Sequence, residues 1–473
     1  MKDINRNIKK SIYWNYTSSV IIHSVALVTS AILLKYLSPI DFGILATLFL
    51  LLGIGSIFIG QGYISAIIRE KNINNIILST VFWINVGFGL LVVLLSYLLG
   101  DLLGLYFEID HMREYLSFFS LAYLLQAINV VPLALLQRNL DFRLHSIIHI
   151  WATIVAAILA ITLAMTDYGV YSLLWRGLSA GVVVTLYVWY KSDWKPQFAF
   201  DYGSLDGMHN FSRGVLGTEI LRYGANQLDN LLVIKLLGTA DLGIYNRAKT
   251  FVQKPAREIH IKTTSVAYAA LSKLEDPTEY RNTLFKFTLL LSMVIIPIAL
   301  IVMISSDTLI HKYLNKEWYP MINILKVLGV AAITISTSMP SQILLSKGKS
   351  GLLFKTELLS NVIKISALLL AFKYTDLMTI VCLFLFGQFV GNLIQNIAAY
   401  RSVEGYKTMI WKYHILPVLV AFTVLGLAIV IDFHVTESLV SLTAKLIICL
   451  TIFGLFARRM YPDIINKLTI NDN

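Results

Sequence analysis

Apolar residues occur along this chain in long runs that are separated by short polar segments. Val81–Leu99, Ile147–Ala164 and Leu416–Ile431 are typical of these runs. About 20 residues of helix cross the hydrocarbon core of a bilayer, and backbone groups in lipid need partners within the protein. The pattern therefore predicts an all-α polytopic membrane protein with about fourteen transmembrane helices. The predicted spans are 12–37, 41–67, 76–101, 113–136, 146–165, 169–190, 209–235, 240–271, 283–303, 318–345, 352–372, 376–400, 411–431 and 436–457.

Lysine and arginine residues collect in alternate predicted loops. If the N-terminus is cytoplasmic, the inside segments hold about 22 of these residues and the outside loops about 6. Cytoplasmic loops of membrane proteins are enriched in Lys and Arg. We therefore expect both the N-terminus and the C-terminus to be cytoplasmic.

The eighth predicted span is an exception to the apolar pattern, because many charged residues lie within it. If this stretch did not cross the membrane, the basic loops around Lys347, Arg401 and Arg458 would all lie outside. We therefore expect it to span the bilayer with its charges shielded from lipid. Its polar and charged residues include Asp241, Arg247, Lys249, Lys254, Arg257, Glu258, His260 and Lys262.

Composition narrows the class of protein. Hydrophobic residues make up 57% of the chain and charged residues 14%, whereas globular proteins contain about 25% charged residues, so no separate soluble domain is expected. Basic cytoplasmic loops account for the net charge of +11, and no nucleic-acid partner is expected. Cys382 and Cys449 lie in apolar runs and are interpreted as core residues. We expect neither a cofactor nor a metal, and no enzyme activity.

Two segments, 35–44 and 235–244, repeat each other at a constant offset of 200 residues. Lys, Leu, Asp, Gly and Ile coincide, each time at the turn between the first and second helix of a half. The repeat predicts two six-helix lobes in the same orientation, followed by two extra helices. The predicted domains are an N-terminal lobe at 1–190, a cytoplasmic connector at 191–208, a C-terminal lobe at 209–403, and the extra helices with a cytoplasmic tail at 404–473.

The repeated turns also carry a family resemblance. The stretch Leu-Ser-Pro-Ile-Asp-Phe-Gly-Ile-Leu at 37–45 and the whole of residues 228–248 resemble the Wzx-type flippases of polysaccharide biosynthesis. These flippases belong to the multidrug/oligosaccharidyl-lipid/polysaccharide (MOP) exporter superfamily. The resemblance covers the chain in length, span count and repeat. One departure is Ile234-Lys235, where the family often has Gly-Arg, so the positive charge is kept without the forked geometry of Arg.

The resemblance implies a function and a shape. It implies translocation of a polyprenyl-diphosphate-linked oligosaccharide (an O-antigen, capsule or exopolysaccharide unit) from the cytoplasmic to the periplasmic leaflet of a bacterial inner membrane. It also implies a MATE-like, V-shaped pair of lobes that works by alternating access through a central cavity. The implied partners are this substrate, membrane lipids, and the machinery of polysaccharide polymerisation and chain length.

The charges of the eighth span fall mostly on one side of a helix. At 100° per residue, Arg247, Lys254 and Glu258 lie within about 40° of one another, and Arg257 and Lys262 lie roughly 60–80° to either side. On one straight helix this stripe covers about 22 Å of depth, and Pro255 favours a kink within it. We expect the five residues to line a cationic cavity for the diphosphate. In the structural alternative, they pair with one another or reach the two interfaces.

The seventh span carries a second polar stripe. Arg222, Asn226, Asp229 and Asn230 share an arc of about 100° with Glu219, which is placed to pair with Arg222. We expect the first four to line the same cavity. Asp229 has no cation one turn away on its own helix, so it is either a structural counter-ion or, like Glu258, a candidate site for proton or sodium coupling.

Three isolated residues complete the candidate substrate site. Arg176 and Lys364 are charged residues within the sixth and eleventh spans, where a charge at the bilayer centre costs about 2.5–3.5 kcal/mol. His23 lies on a polar face of the first helix and is either a cavity residue or a hydrogen-bonded core histidine.

Two other functions compete with the flippase hypothesis. A multidrug or cation antiporter of the same superfamily would need acidic residues for cationic substrates, but Lys and Arg outnumber Asp and Glu in the seventh and eighth spans. A membrane polysaccharide polymerase or ligase would be expected to carry a large periplasmic loop, and the predicted outside loops are short.

Overall fold

A computed structural model of the protein describes residues 2–60, 63–64, 67–68, 70, 73–139, 141–336, 338–374, 376–405, 415–434 and 438–460. These residues form sixteen α-helices and no strand, which confirms the predicted all-α class. The helices are α1 (Lys2–Tyr36), α2 (Pro39–Phe58), α3 (Asn75–Phe107), α4 (Met112–Arg138), α5 (Phe142–Met165), α6 (Val170–Lys191), α7 (Asp206–Leu237), α8 (Thr239–Phe251), α9 (Gln253–Leu271), α10 (Pro277–Tyr313), α11 (Met321–Ser336), α12 (Pro340–Ser346), α13 (Ser350–Ala371), α14 (Leu377–Tyr400), α15 (Leu416–His434) and α16 (Ser438–Met460).

Each predicted span corresponds to one helix or to a pair of consecutive helices. Eight helices among the described residues are long and apolar enough to cross a bilayer, and α15 and α16 contain shorter apolar stretches. The chain is therefore a multi-span membrane protein. The total of fourteen crossings stays a prediction, because the other six predicted spans are charged, broken into two helices, or contain only a short apolar stretch.

The chain divides into two compact units, Met1–Gly243 and Ile244–Asn473. In the first unit α3 packs along α4, α5 along α6, and α7 against α2. In the second unit α10 packs along α11, α13 along α14, and the extra helices α15 and α16 pack on each other and on α10. The pairs α3 with α4 and α5 with α6 thus have counterparts in α10 with α11 and α13 with α14, as expected for a repeat. The predicted lobe boundaries at 190 and 209 stay a prediction.

The two repeated turns contact each other within the first unit. Ser38 and Asp41 form a capping box at the start of α2, in which each side chain accepts the other's backbone N–H. A Cβ atom on Gly43 would overlap the carbonyl oxygen of Thr239, and one on Gly243 would overlap the carbonyl oxygen of Pro39. These two contacts exchange under the 200-residue offset. Glycine is needed at both positions because the backbones approach so closely.

The second predicted span, 41–67, ends earlier than expected, since α2 stops at Phe58. Gly60 has a φ of +85° and donates its N–H to Oδ1 of Asn85 at 2.7 Å. A left-handed glycine ends a helix readily, and the buried amide of Asn85 compensates for the lost helical bond. The prediction of one continuous helix to residue 67 was therefore wrong.

The tenth predicted span, 318–345, consists of two helices, α11 and α12. Pro340 opens α12, and the preceding Met339 has a φ of −139° and a ψ of 53°. Proline disfavours the helical conformation in the residue before it. The prediction of one long helix was wrong here, because it used apolarity alone and apolarity does not reveal this break.

Candidate functional site

The eighth span is two helices, α8 and α9, which meet at Val252. Val252 has a φ of −109° and a ψ of −61°, and Pro255 is the third residue of α9. Proline has no N–H for the carbonyl of Phe251, so the helix is interrupted in the turn before it. The kink expected at Pro255 is present, and the single charged ladder expected over 247–262 is divided into two parts.

Helix α9 has a buried face and a charged face. Thr264, Ala267 and Leu271 are buried and lie within an arc of about 60°. Lys254 and Glu258 are exposed and lie about 130° away from that arc. The buried face packs against α10, α11 and α12. The charged residues are therefore directed away from the packing partners of α9 in its own unit.

Arg257 and Glu258 on this charged face do not neutralise each other among the described residues. Both side chains are exposed, and among the described residues neither takes part in an ion pair or a side-chain hydrogen bond. With Lys254 and Lys262, the face carries three cations and one anion. A pair between Arg257 and Glu258, which is one part of the structural alternative, does not form among the described residues, and the rest of that alternative stays open.

Arg247 differs from the cations of α9, because it is buried in α8 with only 9% of its surface exposed. Its Nε atom has no hydrogen-bond partner among the described residues, although other contacts involve the residue. Lys249, on the same helix, lies 4.7 Å from the centre of the Tyr245 ring. Of the two parts of the predicted ladder, the one on α8 is thus enclosed by protein and the one on α9 is exposed.

The polar stripe of α7 also divides into two parts. Arg222 is exposed and paired with Glu219, and Asn226 is exposed. Asp229 and Asn230 are buried, with 4% and 8% of their surfaces exposed. The first part is accessible and self-neutralised, and the second belongs to the interior of the first unit.

The three isolated candidates have separate environments. Arg176 is half-buried on α6, and it forms no ion pair among the residues that the structure describes. Lys364 lies on α13 where that helix packs on Gly387 and Gly391 of α14, so the GxxxG pattern serves helix packing. His23 is exposed on α1, and its Nδ1 lies 2.6 Å from the carbonyl oxygen of Ser19. No group of three potential metal ligands occurs within the described ranges.

The family model of polysaccharide biosynthesis proteins matches residues 32–323, which is more than half of the chain. The chain belongs to this family. The match includes both repeated turns and the whole of α7, α8 and α9.

Two relatives of this family member come from Escherichia coli and Bacillus subtilis. The chain is 23% identical over 432 residues to the lipopolysaccharide biosynthesis protein WzxC of Escherichia coli, covering 88% of this chain and 87% of WzxC. It is 24% identical over 364 residues to the teichuronic acid biosynthesis protein TuaB of Bacillus subtilis, covering 75% of this chain and 74% of TuaB.

Among solved structures, this family member is similar to the lipid II flippase MurJ in an inward closed conformation. The TM-score is 0.71 at 14% identity, with 96% of this chain and all of the MurJ chain covered. At that identity the likeness shows the fold alone. The chain shares its fold with MurJ and, at a TM-score of 0.54 and 16% identity, with a MATE family transporter, as the resemblance implied.

Two residues that hold helices together around α2 were not identified from the sequence. Tyr223 of α7 donates its hydroxyl to carbonyl oxygens of Phe49 and Leu50 on α2, at 2.8 and 3.0 Å. Asn85 is fully buried and binds Gly60. A single Asn inside the apolar run Val81–Leu99 was the available signal for the second residue, since buried amides need partners.

Proposed function

We propose that this protein translocates a polyprenyl-diphosphate-linked oligosaccharide across a bacterial inner membrane, and that the charged face of α9 binds the diphosphate. The substrate class is an O-antigen, capsule or exopolysaccharide repeat unit, which moves from the cytoplasmic to the periplasmic leaflet. The protein acts as a transporter, with Lys254, Arg257 and Lys262 as the main binding groups.

The observation that carries this proposal is the exposure of charge on a membrane helix. Lys254 and Glu258 are exposed on the side of α9 that is opposite its packed face, and Arg257 is exposed at the edge of that face. A charge facing lipid at the bilayer centre costs about 2.5–3.5 kcal/mol on insertion scales. Several such charges on one helix are therefore expected to meet water or a polar ligand, which supports an aqueous pathway beside α9.

The sign of the charge supports an anionic ligand. Three cations and one anion give the α9 face a positive potential, which acts more strongly in a poorly screened site than in bulk water. A diphosphate is the most highly charged part of a lipid-linked oligosaccharide, and Arg binds its oxygens in a bidentate manner. The names of the relatives, which concern lipopolysaccharide and teichuronic acid biosynthesis, support a glycan substrate.

The other candidate residues take secondary roles in this proposal. Arg222, Asn226, Arg176 and Lys364 contact the headgroup or the sugars, whose hydroxyls suit amide and guanidinium donors. Arg247 supports the site from within α8 because it is buried. Glu258 is the better candidate for proton or sodium coupling, because it is exposed, and the buried Asp229 and Asn230 serve structure.

The orientation of the chain is part of the proposal. Both termini lie in the cytoplasm, with the turns at Ser38 and Thr166 outside. Cysteines at Ser38, Thr166 and the exposed Glu317 should react with an impermeant thiol reagent in intact cells, whereas a cysteine at Ser350 should not. Labelling at Ser350 from outside would contradict this orientation.

A complementation experiment tests the function. The gene is deleted in the source bacterium, and the surface glycan and the lipid-linked unit are measured after reintroduction of each variant. Wild type should restore the glycan, whereas Lys254→Gln and Arg257→Gln should leave the lipid-linked unit inside at normal protein levels. Lys273→Gln is the matched control, since Lys273 is an exposed lysine that follows α9 in the turn at its end. Normal glycan output from both α9 variants would contradict the role of these cations.

A further inference from the structure

The segment between α6 and α7, residues 192–205, is held against the start of α3. The backbone N–H of Gln197 donates to Oγ of Ser79 at 3.0 Å, and the N–H of Asp201 donates to Oγ1 of Thr80 at 3.0 Å. In return, Nε1–H of Trp83 donates to the carbonyl oxygen of Gln197 at 2.9 Å. The segment is therefore a fixed part of the first unit and follows one face of α3.

The attachment points lie inside a membrane-spanning helix. Ser79 and Trp83 are four and eight residues beyond Asn75, where α3 begins, which places them about 6 and 12 Å along the helix. Trp194 packs edge-on against Phe82, with ring centres 5.8 Å apart. The segment thus runs back beside α3 and does not extend away from the ends of the helices.

The outer side of this segment carries large aromatic side chains. Phe198 is 97% exposed, Phe200 61% and Tyr202 52%, and the adjoining Tyr190 at the end of α6 is 80% exposed. Such a group of exposed apolar residues marks an interaction surface. Residues 190–202 contain two lysines and two aspartates, so the surface has no net charge.

We propose that Phe198, Phe200 and Tyr202 insert into the headgroup region of the phospholipid bilayer and form an aromatic anchor at the ends of α3 and α6. The partner is the lipid interface itself, where amphipathic aromatic rings are favoured. Three features support this partner: the segment follows directly on the membrane helix α6, it lies beside the first turns of α3, and it is neutral. Because it is neutral, the anchor binds zwitterionic and anionic bilayers alike.

The experiment measures how deeply a side chain lies in lipid. Full-length protein with Cys382→Ser and Cys449→Ala receives one new cysteine, at Phe198 or at Asp193, labelled with an environment-sensitive fluorophore. Asp193 is the matched control because it is an exposed charged residue of the same segment. Each protein is reconstituted in nanodiscs of zwitterionic lipid, and quenching by bromine-labelled lipid is compared with quenching by aqueous iodide.

The ratio of lipid quenching to iodide quenching should be about five-fold higher at Phe198 than at Asp193, since only the aromatic position enters the interface. The difference between the two positions should persist when a third of the lipid is anionic, although the anionic surface repels iodide and lowers its quenching at both positions. Equal ratios at the two positions, or strong iodide quenching at Phe198, would overturn the proposal and leave a protein partner as the occupant of this surface. Phe200→Cys provides a second site if the variant at Phe198 does not fold.

Discussion

Two parts of the chain correspond in the repeat: α1 with α2, and α7 with α8 and α9. They share the packing of the turn between their helices and differ in charge. At the 200-residue offset, Phe42 and Leu242 are both buried, and so are Gly43 and Gly243. Helix α2 is a continuous apolar helix whose only charged residue is Asp41, whereas α8 and α9 are broken and rich in cations. The repeat therefore preserves packing at the turn, and the cations that are proposed to bind the diphosphate lie on α9, which has no charged counterpart in α2.

Reversing charge on α9 should have the largest effect and would sharpen this contrast. Lys254→Glu and Arg257→Glu should each reduce transport by more than about 100-fold, because the positive potential is lost where it is poorly screened. Glycan output in the deletion strain is the measurement, with membrane protein quantified in parallel. A corresponding change in the first copy, Ile54→Glu on the exposed side of α2, serves as the comparison. Equal loss of folded protein in all three variants would show that the introduced glutamate acts on folding and not on substrate binding.

The glycine contact should be the next most sensitive feature, because it belongs to both copies. Gly43→Ala and Gly243→Ala each place a methyl group on a backbone carbonyl, and overpacking costs about 1–3 kcal/mol of unfolding free energy. Gly224→Ala on α7 is the control, since its Cβ would have nothing within 4 Å. Thermal unfolding of the purified variants measures the effect. Wild-type stability in both turn variants would refute the reciprocal contact.

A smaller difference in stability between the two copies is expected at their buried polar residues. Thr29 and Ser30 of α1 correspond to Asp229 and Asn230 of α7, and all four are buried. Among the residues that the structure describes, Thr29 bonds only to Val25 of its own helix, so Thr29→Val should be tolerated. Asp229→Leu should cost about 1–2 kcal/mol, because it leaves polar neighbours unsatisfied. Unfolding of both variants is compared. Normal stability with lost ion dependence of transport would instead make Asp229 a coupling residue.

The smallest effect is expected at His23 in the first copy. His23 is exposed and bonds only to Ser19 of its own helix in the described structure, so His23→Gln should change transport by less than about two-fold. Uptake of a labelled lipid-linked sugar into proteoliposomes checks this value. A loss of transport as large as that of the α9 variants would mean that the first copy also contacts the substrate, and would contradict the difference between the copies.

Features that depend on regular spacing along the chain could be predicted from the sequence. Long apolar runs predicted the helices, and five coincident residues predicted the repeat, because both signals depend on local spacing. The break at Pro255 was also expected, since proline removes a helical hydrogen bond wherever it stands in a helix interior. The ends of α2 and the division of the tenth span were not predicted, because they depend on the left-handed Gly60 with its distant partner Asn85 and on a local break before Pro340.

The candidate site was predictable in composition and less so in arrangement. Helical spacing placed Arg247 with Lys254 and Glu258 on one side of a single helix, but the structure has a break at Val252 between them. Arg247 is buried and the other two are exposed. Burial depends on which helices pack together, and that information lies in contacts between distant residues.

In the proposed function, Lys254 attracts an anionic ligand and does not merely neutralise Glu258. The most direct measurement is binding of a short, soluble polyprenyl diphosphate, such as farnesyl diphosphate, to purified protein. Lys254→Arg should retain most of the affinity, Lys254→Gln should lose about ten-fold for the missing charge, and Glu258→Gln should not weaken binding. The double variant Lys254→Gln with Glu258→Gln should still bind weakly while remaining folded. Recovery of wild-type affinity in that double variant would contradict the account, because it would mean that Lys254 serves only to balance Glu258.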